Sequence, residues 1–308
     1  MKHLVVVVGP TASGKTAVAS ALARTWQTPV LTADSRQVFR ELTIGTNKPT
    51  PEERALAEHR LLDLVAPDEA FTVADFEAAA LAEIARVHEA QDIALLAGGT
   101  GFYLEAVLQG IAPTPPHDER VRAAVQADLA LYGLPYLVQE LAAYDPITHA
   151  RIDRANPRRV TRAIEVIRHT GRPLSSFDRP EVHRPFRAHV FGLAVDRALL
   201  HQRIEARTEA MHQAGAWEEV RHLLQRYPPD LQAFASIGYR EYIEYAEGLR
   251  SLPETLAAIT THTRQFARRQ LTWFRGMEDV TWVPHTDPTT TAAFIQTELD
   301  RRLAVSGL

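Results

Sequence analysis

An apolar run, Leu4 to Val8, leads into Gly9-Pro10-Thr11-Ala12-Ser13-Gly14-Lys15-Thr16, and a helix-like stretch follows. The spacing is G-x-x-x-x-G-K-[ST] between a strand and a helix, which marks a loop built to hold phosphate. Gly9 and Gly14 let the backbone close around an anion, and loop and helix N–H groups point at it. Lys15 adds a compact positive charge, which the bulkier, planar guanidinium of arginine would not easily replace. The Thr16 hydroxyl is the candidate Mg²⁺ ligand. Two more reactive side chains stand where predicted strands end: Asp34 in TADSRQVF and Thr100 in GGTG. Ligands of parallel sheets bind at such carboxyl ends. Asp34 would serve as a base and Thr100 as a hydroxyl donor. The plainer alternatives are a helix cap for Asp34 and a tight turn for Thr100. An ATPase or kinase of this type needs an acid closing another strand. The strand IALLAGGTG ends in Gly98-Gly99-Thr100 and offers none.

These residues need a sheet to position them. Residues 4–8, 29–33, 60–65 and the strand before Gly98 read as strands. Amphipathic stretches separate them, including 72–91. Alternating strands and helices predict an α/β fold: a P-loop NTPase-like parallel sheet core flanked by helices. Three prolines in GIAPTPPHDE, residues 110–119, mark a boundary. The stretch 117–185 reads as helical, so a helical insertion domain is expected over 113–185. The core would comprise 1–112 and 186–308. Strands return at 189–195 and 280–283, with helices over much of 197–275. Nothing is assigned to the tail after Pro284.

The 308 residues, 45% hydrophobic, allow a large core. With no cysteine, disulfides and thiolate metal sites are excluded. No run approaches the ~20 apolar residues of a membrane span, so a soluble, cytoplasmic protein is expected. Net charge is −4, which argues weakly against a nucleic-acid partner, but distribution matters more. Arg151 to Arg187 holds ten arginines against four acids, and Arg264 to Arg275 holds four against none.

Taken in order, GPTASGKT, ADSRQVFRELTIGTNKPT, HRLLDL, GGTGFYLEAVLQG, NPRRVTRAIEV, GYRE and TRQFARRQLTWFR resemble the tRNA dimethylallyltransferase (tRNA isopentenyltransferase) family over roughly residues 4 to 283. The resemblance implies transfer of a dimethylallyl group from dimethylallyl diphosphate to N6 of adenine 37, beside the tRNA anticodon. Diphosphate, held by residues Gly9 to Thr16 with Mg²⁺, would then leave and no phosphoryl group would move. The resemblance makes Asp34 the base for the adenine amine. Thr100 would donate to the oxygen between the allyl carbon and the diphosphate. Arg203 and Arg207 are further diphosphate contacts, or else a surface row on a helix. Contacts with the tRNA anticodon stem-loop are implied for Asp34, Ser35, Arg36 and Gln37. They are also implied for Arg122, for Arg158, Arg159, Val160, Thr161 and Arg162, and for Arg268, Arg269, Gln270, Trp273 and Arg275. Trp273 reads first as core, Arg168 and Arg172 equally as surface. Phe39 departs from the tyrosine common in the family and touches no catalytic motif. A monomer without membrane contact is expected. The rivals are an isopentenyltransferase of free adenine nucleotides, a small-molecule kinase, and an RNA-binding protein with a vestigial loop.

Overall fold

A computed structural model describes residues 1–179 and 181–306. The chain divides into two compact units, Met1–Leu108 with His183–Leu308, and Gln109–Val182. The first break, between Leu108 and Gln109, lies just upstream of the proline-rich stretch 110–119.

The larger unit is built on six parallel strands: β1 (His3–Val8), β2 (Val30–Ala33), β3 (His59–Arg60), β4 (Ile93–Gly98), β5 (Arg187–Ala194) and β6 (Val280–Pro284). Their order is β3-β2-β4-β1-β5-β6. The central β1 is paired with β4 and β5 along its whole length. Its run His-Leu-Val-Val-Val-Val is buried throughout, as expected of a strand covered on both faces. Leu4, Val6 and Val8 point to one side. There they meet helix α3 (Val73–Ala90) through Phe76, Ala80 and Ile84, and α4 (Gly101–Gln109) through Leu104 and Val107. Val5 and Val7 point to the other. They meet Val18 and Leu22 of α1 (Lys15–Trp26), and Ile295 and Leu299 of a C-terminal helix, Pro288–Ser306. That last helix is missing from the sequence reading. It carries no chemistry-bearing motif, yet it packs Ile295 and Leu299 into the core on one side of the sheet.

One expected strand is mostly absent. Of residues 60–65 only Arg60 lies in a strand, the two-residue β3; a short α2 (Pro51–Leu56) precedes it, and Val65 makes a lone bridge to Phe39. Leu61 (φ 63°) and Asp63 (φ 57°) adopt left-handed backbone, which a strand cannot accommodate. Asp63 Oδ1 instead accepts from Lys48 Nζ at 2.6 Å, and that lysine also donates to the Phe39 carbonyl at 2.6 Å. Phe39 is itself buried in the core, so its missing hydroxyl leaves no polar group stranded.

The smaller unit contains α5 (Glu119–Tyr132), α6 (Leu134–Tyr144), α7 (Pro146–Arg151) and α8 (Pro157–Thr170), with no strand among the described residues. Val125, Leu137, Leu141, Val160, Ile164 and Ile167 form its core. Arg168 ties α8 to its neighbours, with Nη1 2.7 Å from Asp128 and Nε 2.8 Å from Glu140. Arg172 donates to the Ser176 carbonyl and covers the Phe177 ring. Both arginines make contacts within the smaller unit. Returning to the larger unit, α9 (Arg197–Gln213), α10 (Ala216–Leu223), α11 (Tyr239–Ala246) and α12 (Leu252–Arg275) follow β5, and the C-terminal helix is α13.

Candidate active site

The phosphate loop joins β1 to α1. Ala12 (φ 62°) and Gly14 (φ 89°) are left-handed, a geometry that turns successive N–H groups inward as an anion nest. Gly14 caps α1 without a side-chain hydrogen bond, which leaves the first helical N–H groups for a ligand. Glycine is required there twice over, because a Cβ would lie 2.7 Å from His285 Nε2. Ser13 is fully buried and its Oγ has no hydrogen-bond partner. A buried orphan hydroxyl is costly unless something fills its valence, so the loop is shaped around a missing acceptor or donor.

Cations surround the loop. Lys15 Nζ donates to the Pro10 carbonyl at 2.7 Å. Burial pulls its titration down to about 7, opposed by Asp34 and helped by Arg207. Arg207 reaches the Thr11 hydroxyl at 2.5 Å, and burial lowers its titration too, again opposed by Asp34. Arg203, one helical turn earlier on α9, has Nη1 3.5 Å from the Ser13 carbonyl. Neither Lys15 nor Arg207 forms an ion pair among the described residues. Two half-buried, desolvated cations held against each other, with only the Asp34 charge nearby and no ion pair, suit an anion. Lys48 is the contrast: more deeply buried, it is spent on Asp63.

Asp34 and Thr100 stand at the ends of neighbouring strands β2 and β4. The Thr100 N–H bonds the Ala33 carbonyl at 3.3 Å. Thr100 Oγ1 accepts from the Ser35 N–H at 3.0 Å, and its own proton has a 3.4 Å contact with Ser35 Oγ. Asp34 Oδ1 accepts from the N–H groups of Arg36 (2.8 Å) and Gln37 (3.4 Å). The turn-capping alternative for Asp34 is thus realised on one oxygen, while Oδ2 accepts nothing among the described residues. Gly98 permits the two strand ends to meet, since a Cβ there would stand 2.1 Å from the Ala33 carbonyl.

The segment after Asp34 is braced by residues the sequence did not mark. Glu219 of α10 accepts from the N–H groups of Thr43 (3.0 Å), Ile44 (2.8 Å) and Gly45 (3.0 Å), and from the Tyr239 hydroxyl. Gln37 Nε2 donates to the carbonyls of Thr46 (3.0 Å) and Asn47 (2.9 Å). Arg36 donates to the Gln232 carbonyl at 2.8 Å. His285, whose Nδ1 lies 2.9 Å from Thr291 Oγ1, backs the loop at Gly14. No periodicity or motif flags Glu219 or His285; only the fold brings them in.

The expected RNA-contact residues divide. Arg122, Arg158, Arg159, Arg268, Arg269 and Arg275 are exposed. Four others are engaged within the fold. Val160 and Thr161 are buried in the core of the smaller unit, because α8 turns that face inward. Arg162 is spent on the Pro115 carbonyl (2.6 Å) and Thr114 Oγ1 (3.2 Å), which staple the chain before α5. Gln270 is buried against the phosphate loop. Trp273 is half-buried, packs on Gly101 and meets Phe102 edge-on at 6.4 Å.

A metal ligated by Thr16 fits this donor set. Among the described residues no cluster of three His, Asp or Glu could hold an ion unaided. Mg²⁺ is usually held by few protein atoms plus phosphate oxygens and water, which is what one hydroxyl beside an anion nest provides. No helix among the described residues is long and apolar enough to cross a membrane.

Similarity to known proteins accords with this geometry. The family model described as IPP transferase matches residues 37–277. A tRNA dimethylallyltransferase of Gloeobacter violaceus is 45% identical over 285 residues, covering 92% of this chain and 92% of that protein. One from Cytophaga hutchinsonii is 40% identical over 299 residues, covering 97% and 98%. Among solved structures, the full-length tRNA isopentenylpyrophosphate transferase of Bacillus halodurans superposes with a TM-score of 0.73 at 34% identity, covering 100% of both chains. A eukaryotic dimethylallyltransferase structure shares the fold at TM-score 0.81 and 23% identity, covering 99% of this chain and 80% of that one. With the family model spanning most of the sequence and relatives aligned nearly end to end, the chain belongs to the IPP transferase family.

Proposed function

We propose that this protein is a tRNA dimethylallyltransferase. It moves a dimethylallyl group from dimethylallyl diphosphate to N6 of adenine 37 in the tRNA anticodon loop. One observation carries the reading: the Ser35–Thr100 hydrogen bond ties the Thr100 hydroxyl to the residue after Asp34, whose carboxylate keeps one oxygen unengaged, at the strand ends that also carry the cationic loop.

The reaction forms a bond between N6 and the allyl C1 and breaks the bond from C1 to the bridging oxygen. The exocyclic nitrogen is a weak nucleophile, because its lone pair is delocalised into the ring. Asp34 takes its proton on Oδ2 as the new bond forms. Oδ1, fixed by two backbone N–H groups, keeps the carboxylate aimed. Thr100 accepts from the Ser35 N–H, and its proton, held only by the long 3.4 Å contact to Ser35 Oγ, turns to the bridging oxygen as negative charge grows there. Lys15, Arg207, Arg203 and the loop N–H groups hold the departing diphosphate. Thr16 would hold Mg²⁺, whose charge offsets that of the leaving group when it is bound. The target adenine must leave its stack to reach C1. Exposed Arg122, Arg158, Arg159, Arg268, Arg269 and Arg275 would grip the RNA backbone.

The test uses purified protein, Mg²⁺ and labelled dimethylallyl diphosphate, with anticodon stem-loops carrying adenine or guanine at position 37. AMP and ATP run beside them. Label in the adenine stem-loop alone is the expected outcome. Label in the free nucleotides alone would make the acceptor a mononucleotide and overturn the tRNA reading.

A further inference from the structure

Gln270 lies on α12, far along the chain from the loop and the strand ends, and it is 6% exposed. Its side-chain amide bridges the two halves of the site. Oε1 accepts from the Thr11 N–H of the phosphate loop at 2.7 Å, and Nε2 donates to the Gly99 carbonyl, one residue before Thr100, at 2.8 Å. Both partners are main-chain groups, so the amide ties backbone to backbone. Thr11 is pinned a second time through its hydroxyl by Arg207. Gly99 leaves room for the bridge, since a Cβ there would stand 2.4 Å from Gln270 Nε2 and 3.7 Å from Lys15 Nζ. The amide and the Lys15 ammonium therefore converge on one point of the site.

We propose that Gln270 is a positioning residue that sets the distance between the diphosphate gripped by the loop and the Thr100 hydroxyl that serves the leaving oxygen. It does this without touching tRNA. The proposal rests on the diphosphate reading given above. The chemistry requires both ends of the amide: the loop offers a donor and the strand end an acceptor, and among side chains of this length only glutamine answers both. Asparagine is one carbon short. Glutamate keeps the acceptor, loses the donor and brings a negative charge towards Lys15.

The test is single-turnover transfer by the full chain, with stem-loop affinity and donor KM measured alongside. For Gln270→Leu we expect transfer to slow by about 10–10²-fold, as for a misplacement of ~1 Å, while tRNA affinity stays within about threefold of wild type. Gln270→Met gives a second readout that a packing role would not move, because it keeps the length and bulk of the side chain and removes both hydrogen bonds. A packing role would leave it at the wild-type rate; positioning predicts a fall in kcat of the same size, with donor KM within about threefold of wild type. Should Gln270→Leu not fold, the kcat and KM of Gln270→Met decide alone. Wild-type rates in both variants, a loss confined to donor KM, or a loss confined to tRNA affinity would overturn the proposal. A wild-type protein inactive with dimethylallyl diphosphate would instead overturn the diphosphate reading itself.

Discussion

In the proposed reaction Asp34 and Lys15 would divide the chemistry between a carboxylate and an ammonium, and their surroundings fit those roles. The Asp34 carboxylate is held by backbone N–H groups on one oxygen only, which orients it without consuming it. Lys15 is desolvated and titrates near 7, so an arriving anion restores its full charge. Asp34→Asn preserves the acceptor for Arg36 and Gln37 but removes the base. Single-turnover transfer should fall by about 10²–10⁴-fold, with stem-loop affinity unchanged. An unaltered rate would take Asp34 out of the proton transfer.

At the scale of elements, the sheet fixes where the reactive ends meet, and its far end carries a separate liability. His3 of β1 and His189 of β5 lie with Nδ1 and Nε2 3.1 Å apart, and His88 Nε2 sits 3.0 Å from the His3 carbonyl. Burial lowers His189 to about 4, helped by His3, Arg302 and Arg187. Burial, the N-terminus and Arg187 lower His3, with Asp92 opposing. His189 stays neutral in the fold down to about 4 and His3 is shifted the same way, whereas in the unfolded chain they take up protons below about 6.5. Stability is therefore complete above that pH and lost as the pH falls towards 4. Urea melts should show on the order of 1–2 kcal/mol less stability at about pH 5 than at about pH 7, a difference that His189→Gln reduces. A variant with an unchanged pH difference would exonerate the pair.

The sequence revealed these elements unevenly. The phosphate loop was legible because its chemistry demands adjacent residues, and β1 because a strand buried on both faces must be apolar throughout. The 60–65 strand was misread because its apolar residues serve a left-handed turn. Gln270 reads in the sequence as an RNA contact because it lies in the arginine-rich strip RRQLTWFR, and its burial shows only in the fold. Glu219 and His285 act across long sequence distances, which no local pattern encodes.

For the molecule as a whole, a net charge of −4 coexists with an exposed arginine strip on α8. Arg158 and Arg159 are exposed and form no ion pair among the described residues, so they are available to phosphates. Arg159→Ala should weaken stem-loop binding and reduce its log–log salt slope by about one. An unchanged slope would return that residue to the solvated surface. The central claim is that this phosphate loop releases diphosphate and transfers no phosphoryl group. It is tested most directly by following phosphorus through the reaction, using ³¹P NMR of protein, Mg²⁺, dimethylallyl diphosphate and adenine-37 stem-loop. The account predicts one inorganic diphosphate for each N6-dimethylallyl adenosine formed. Phosphate appearing on the acceptor, or ATP consumed in place of the prenyl donor, would contradict it.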